Sequence, residues 1–120
     1  MARSALSKTS LARNLVGSVL TDETFTELAT GTGNGVYFPL LGTDLIVLKN
    51  DTGDVATFTI VVTTPAGYTT FGITVPSPTI EVADGKTVVL RVADVLKDGD
   101  GNVQVDCDVA GEMLVYDLRG

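Results

Sequence analysis

Residues 44–63, DLIVLKNDTGDVATFTIVVT, decide how the rest of the chain is read. Two runs rich in Val, Ile, Thr and Phe, residues 45–49 and 55–62, flank Asn50-Asp51-Thr52-Gly53-Asp54. Branched and aromatic side chains suit a pleated, half-buried surface. The residues between the runs are turn formers, with Gly53 available for a positive φ. The stretch predicts a β-hairpin with a longer loop, not the tight two-residue kind. In its second run Ala56, Phe58, Ile60 and Val62 share one face, and Val55, Thr57, Thr59 and Val61 the other. Apolar residues on both faces towards the end of that run predict cover on both sides.

Short runs of the same kind continue on either side. Val36-Tyr37-Phe38 opens the sheet region and Pro39 marks its edge or end. Thr63-Thr64-Pro65-Ala66-Gly67 turns the chain into residues 68–75, and Pro76-Ser77-Pro78 excludes a central strand at that point. Residues 79–82 read as a short strand, and Ala83-Asp84-Gly85 as a tight turn into 86–92. Asp98-Gly99-Asp100-Gly101-Asn102 is a loop. In residues 103–109 the alternation is clean, with Val103, Val105, Cys107 and Val109 inward and Gln104, Asp106 and Asp108 outward. Ala110-Gly111 turns the chain into a last strand, 113–118. About seven or eight short strands with regular turn signals predict an all-β fold, an antiparallel β-sandwich. No helix after residue 30 is long enough for βαβ units, so a parallel sheet is not expected.

The first residues differ from the rest. Residues 1–20 hold three of the eight basic residues and none of the fifteen acids, leaving five bases against fifteen acids beyond them. Leu11, Leu15 and Val19 would form an apolar stripe on a helix. Two readings stand: a frayed or weakly helical terminus, or a basic arm that orders only against an acidic or apolar partner surface. On the second reading the partner-binding residues are Arg3, Lys8, Leu11, Arg13, Leu15 and Val19. Residues 21–30 read either as a short helix, with Thr24 and Glu27 as a capping box, or as the start of a strand. Gly31-Thr32-Gly33-Asn34-Gly35 is a loop: its glycine spacing resembles a phosphate loop, but no Lys-Ser/Thr follows. The chain thus divides into a non-sheet arm and linker, 1–34, and a β-sandwich domain, 35–120.

Composition narrows the function. The net charge of −7 opposes general nucleic-acid binding, which needs cations against phosphates, and adhesion to anionic membranes. No apolar run approaches the length that crosses a bilayer. The single cysteine forms no internal disulfide, and the N-terminus lacks the apolar core of a signal peptide. A soluble protein made in a cytoplasm is expected.

Candidate chemistry is sparse. There is no histidine, which removes the usual general base and the commonest metal ligand. Cys107 alternates with valines on an inward face and reads as packing. Asp98, Asp100 and Asn102 match the first ligand positions of a calcium loop, but Val103 stands where the sharp-turn Gly belongs and Val109 where the bidentate Glu belongs. A plain turn is the expectation, with an opportunistic calcium as its alternative. Asp106 and Asp108 share a strand face at roughly the spacing of a glycosidase pair. Catalysis there needs one acid with a raised pKa in a cleft, and alternate acids on a strand ordinarily keep that face wet. Sugar-binding modules present exposed aromatic platforms, whereas Tyr37, Tyr68 and Tyr116 fall in predicted strands and read as core. No enzyme activity and no cofactor are expected.

Gly35-Val36-Tyr37-Phe38-Pro39, Leu45-Ile46-Val47-Leu48-Lys49-Asn50 and Thr57-Phe58-Thr59-Ile60 resemble small proteins of tailed bacteriophages. So do Val82-Ala83-Asp84-Gly85-Lys86 and Asp100-Gly101-Asn102-Val103-Gln104-Val105. Members of that group characterised as capsid decoration, or cement, proteins form a jelly-roll-like β-sandwich. The similarity covers about residues 35–118 and leaves the first twenty residues outside it. It implies a binding surface rather than an active site: a virion protein on the capsid surface, made in the host cytoplasm. Its partner would be the major capsid protein, with self-association as a dimer or trimer and no nucleic acid or membrane. The alternatives are a neck or tail component, or a carbohydrate- or host-surface-binding module. If residues 1–20 anchor such a protein, deleting residues 2–20 abolishes capsid binding; undiminished binding rejects the anchoring role.

Overall fold

The computed structural model describes residues 3–10, 25–40, 44–62, 68, 70–72, 76–92 and 97–117. Among them lie ten strand segments: β1 (Ser4–Ala5), β2 (Thr9–Ser10), β3 (Thr26–Glu27), β4 (Val36–Pro39), β5 (Asp44–Lys49), β6 (Ala56–Val61), β7 (Thr79–Val82), β8 (Thr87–Leu90), β9 (Asn102–Cys107) and β10 (Glu112–Asp117). They form two sheets, ordered β1-β4-β9-β6-β7 and β2-β10-β5-β8, with β3 also paired to β10. The all-β sandwich expected from the turn spacing is the fold.

The pairing is nested: β4 with β9, β5 with β8 and β6 with β7, each antiparallel. From β4 onward every consecutive pair except β6 and β7 changes sheet. A long antiparallel ribbon is thus rolled on itself, the winding of a jelly-roll-like sandwich. One core cluster joins the inner faces, with Phe38, Phe58, Ile60, Val103 and Val105 from one sheet and Ile46, Leu48, Met113 and Val115 from the other. The outer face of the second sheet is apolar as well, where Val47, Leu114 and Tyr116 pack with Phe25 and Leu45. Cover on both faces therefore belongs to β5 and β10, while in β6 the outward Thr57, Thr59 and Val61 are half-buried.

The predicted hairpin of residues 44–63 does not form. β5 is flanked by β10 and β8, β6 by β9 and β7, and the two strands lie in different sheets. Turn-forming residues specify that the chain bends, not which neighbour the next strand takes. Here the bend is a corner, made with the turn between β7 and β8. Asn50 is fully buried at its centre. Its backbone N–H donates to Lys86 O (3.1 Å) and its carbonyl accepts from Gly85 N (2.7 Å). Its side-chain amide donates to Val82 O (2.8 Å) and to Asp54 O, and its Oδ1 accepts from Thr52 N (3.0 Å). Gly53, at φ 91°, then donates to Asp84 Oδ1 (2.9 Å).

Of the two readings of residues 21–30, the described part takes the strand: Thr26 and Glu27 pair antiparallel with Met113 and Glu112, since the rim of β10 offers backbone partners that outweigh a weak, threonine-rich helix signal. Two further expectations change. Residues 1–34 do not form a wholly non-sheet arm: β1 pairs parallel with β4, and β2 parallel with β10. These parallel pairs are the described exceptions to an antiparallel fold, along with a bridge between Thr30 and Cys107. Tyr68 is not a core strand residue. It is half-exposed in a turn closed by Phe71 N donating to Tyr68 O (3.1 Å).

Asn50→Ala strips donors from two carbonyls at the corner and is expected to cost about 3 kcal/mol in urea unfolding. Asn50→Asp costs at least as much, because a carboxylate cannot donate to Val82 O.

Candidate functional site

The densest polar site of the described residues is built on Asp106. Strand alternation places its side chain on the outer face of β9, as predicted, yet the residue is only 4% exposed. Two pieces of chain cover it. Arg3 approaches in bidentate fashion, Nε to Oδ1 at 2.8 Å and Nη2 to Oδ2 at 2.7 Å. From the glycine loop, Gly33 N donates to Oδ2 (2.9 Å) and Gly35 N to Oδ1 (3.1 Å). Gly35 is required by contact: a Cβ there would stand 1.9 Å from Val105 O. The loop that resembles a phosphate cradle does hold an anion, and that anion is the chain's own carboxylate.

Burial pushes the Asp106 carboxyl up, but the Arg3 guanidinium and the two backbone N–H groups outweigh it and hold it below its ordinary value. This is opposite to the raised pKa a general acid needs. Asp108, just past the end of β9, is exposed and accepts from Thr57 N (2.8 Å). The two aspartates are thus in separate networks and do not form an acid/base pair.

Arg3 belongs to a strap, residues 3–10, that runs along the edges of both sheets. Ser4 N donates to Gly35 O (3.0 Å) and Leu6 N to Tyr37 O (2.9 Å), and Leu6 enters the core. Lys8 Nζ reaches the buried Asp44 carboxylate at 2.6 Å and lies 5.9 Å from the Phe38 ring centroid. The arm cations Arg3 and Lys8 are therefore matched to acids of the same chain. Leu11, Arg13, Leu15 and Val19 lie outside the described residues. Sequence spacing gave no sign of these matches, because the partners are far apart in the chain.

Asp98 caps its own loop. Its Oδ1 accepts from Asp100 N (2.8 Å) and Asn102 N (3.0 Å), and its Oδ2 from Gln104 Nε2 (2.9 Å). The Asn102 N–H is the leading cause that holds its carboxyl below the usual range. Asp98, Asp100 and Asn102 are thus close in space, but backbone N–H groups of the turn engage Oδ1 of Asp98 and the Gln104 amide on β9 engages Oδ2. Among the described residues no three acidic or thiol side chains are grouped to hold a metal. Cys107 is buried, and that burial pushes its thiol up, away from the reactive thiolate.

Beside Asp106 a groove of about 380 Å³ opens on the outer face of the first sheet, lined by Gly31, Thr32, Thr57, Thr59, Val61 and Asp108 among others. Its walls hold threonine hydroxyls and the carboxylates of Asp106 and Asp108. No protein-family model, curated protein or solved structure matches this chain. The phage resemblance therefore stands on the residues quoted for it.

Arg3→Ala leaves a buried carboxylate without its counter-charge and is expected to cost about 3 kcal/mol at neutral pH. Because the folded value of Asp106 is lowered, its contribution is full above the ordinary 3.8 and is lost as pH falls through the folded value. The stability gap between wild type and Arg3→Ala should accordingly narrow in urea titrations below that pH.

Proposed function

We propose that this chain is a structural virion protein, a jelly-roll-like sandwich that docks on the exterior of a tailed-phage capsid and bridges major capsid protein subunits. The observation that carries this reading is where the polar groups are placed. Asp106, Asp44 and Asp98 are each bound into the fold, while an aromatic residue stands clear of it. Phe71 is 81% exposed in the connection between β6 and β7, with the half-exposed Tyr68 beside it. Projecting aromatic side chains supply contact area at low entropic cost and are typical interface anchors. The sequence resemblance of residues 35–118 supports the same reading. Individually weak contacts suffice on a shell, since repeated sites add through multivalency.

On this reading the described part of the basic arm serves the chain's own architecture, and the capsid contact falls to the exposed loops. Self-association as a dimer or trimer would add bridging, with the assembled protein residing on the virion surface after synthesis in the host cytoplasm.

The hydroxyl-lined groove favours a second reading, a carbohydrate- or host-surface-binding module; a glycan array separates the two. A neck or tail component is distinguished by mass spectrometry of tail-less heads against purified tails.

Purified protein mixed with phage heads lacking it is expected to co-sediment saturably and to raise their resistance to heat. Phe71→Ala should weaken that binding at least tenfold, about 1.4 kcal/mol, with an unchanged unfolding midpoint. No co-sedimentation of the wild-type chain rejects the proposal.

A further inference from the structure

The strap is held entirely by residues remote in sequence. Arg3 meets Asp106 and Lys8 meets Asp44, and the backbone bonds of Ser4 and Leu6 go to Gly35 and Tyr37. Leu6 fills a place in the core, while Ser4, Ala5 and Ser7 stay on the surface. The sandwich needs a strap, because without one two buried carboxylates lose their cations and the core loses a leucine. Nothing in these contacts depends on which copy of the chain supplies it.

The connection gives ample reach. β2 ends opposite Asp117 and β3 pairs at Met113, so both ends of residues 11–25 meet the same strand. The separation along that strand is about 13 Å. A chain of that length extends to about 50 Å, far more than closure within one molecule requires. Charge favours capture as well, since residues 1–20 carry no acid and the remainder holds fifteen acids against five bases.

We propose that the edges of β4 and β10, which receive β1 and β2, also accept the strap of a second copy, so that neighbouring molecules exchange residues 3–10. The recognised segment is extended and carries a cation, an aliphatic residue and a second cation at Arg3, Leu6 and Lys8. The exchanged state repeats the same contacts, so concentration decides between the two. A strap tethered to its own sheet edges through residues 11–25 has an effective concentration on the order of 1 mM. Dilute protein closes on itself, and copies crowded near that concentration exchange. This inference does not depend on a capsid partner.

Ala5 and Tyr37 are directly paired across the parallel ladder, within the geometry of a disulfide. The test mixes a chain carrying Ala5→Cys with one carrying Tyr37→Cys, refolds them jointly, and oxidises them. The unmodified chain, whose only thiol is the buried Cys107, sets the background. Mixed disulfide dimers are expected to be abundant at about 1 mM protein and scarce at about 10 µM. An Ala5→Cys chain mixed with a Val89→Cys chain should stay at background. The idea is overturned if the mixed pair stays at background at every concentration while the double variant, Ala5→Cys with Tyr37→Cys, closes within one chain. Failure of the double variant to close overturns it too, by removing the strap from this register.

Discussion

The fold depends on turning one antiparallel ribbon through a corner without stranding its backbone groups. Two chain segments, residues 50–55 and 83–86, must leave one sheet and enter the other side by side. Regular ladder bonds cannot continue around such a bend, and unpaired buried peptide groups are costly. Asn50 answers this by presenting a backbone donor and acceptor and a side-chain donor and acceptor from one buried position. No apolar residue supplies that set, and Asp lacks the donor. The nested pairing of β5 with β8 and β6 with β7 follows from holding this corner rigid.

A second constraint concerns charge. Taking a carboxylate from water is expensive unless cations and N–H groups replace the lost hydration. At Asp106 four donors converge from two separate parts of the chain. The carboxylate thereby fixes three things together: the strap, the glycine loop and the outer face of β9. Its lowered pKa expresses that architecture, and a site arranged to keep a carboxylate ionised is unsuited to delivering protons.

The strands were largely legible. Alternation located β9 and the inward valines, and the β-rich runs located β5, β6, β7, β8 and β10, because side-chain period is local information. Partition between sheets was not legible, since Asn50–Asp54 has the same residues whether the chain folds back or turns a corner. Alternation also placed Asp106 on the correct face and still misjudged its burial. Period two tells which way a side chain points, not what later covers it. For the same reason the arm's cations are legible in the sequence and their partners are not: the Arg3–Asp106 pair spans 103 residues. The glycine spacing of 31–35 was the one sequence sign of an anion cradle; it reads as a plain loop because the carboxylate that fills it lies 71 to 73 residues further along the chain.

That long span has a consequence for how the molecule comes into being. The strap is synthesised well before β9 and β10, yet it pairs with β10 and with a carboxylate on β9. Contacts so distant in sequence form late, after loop-closure entropy has been met by nearer ones. A nascent chain therefore holds an unplaced basic segment until β9 and β10 have emerged, and docking of residues 3–10 follows the nearer pairings. On ribosomes that follow one another along a message, copies with docked and undocked straps lie side by side.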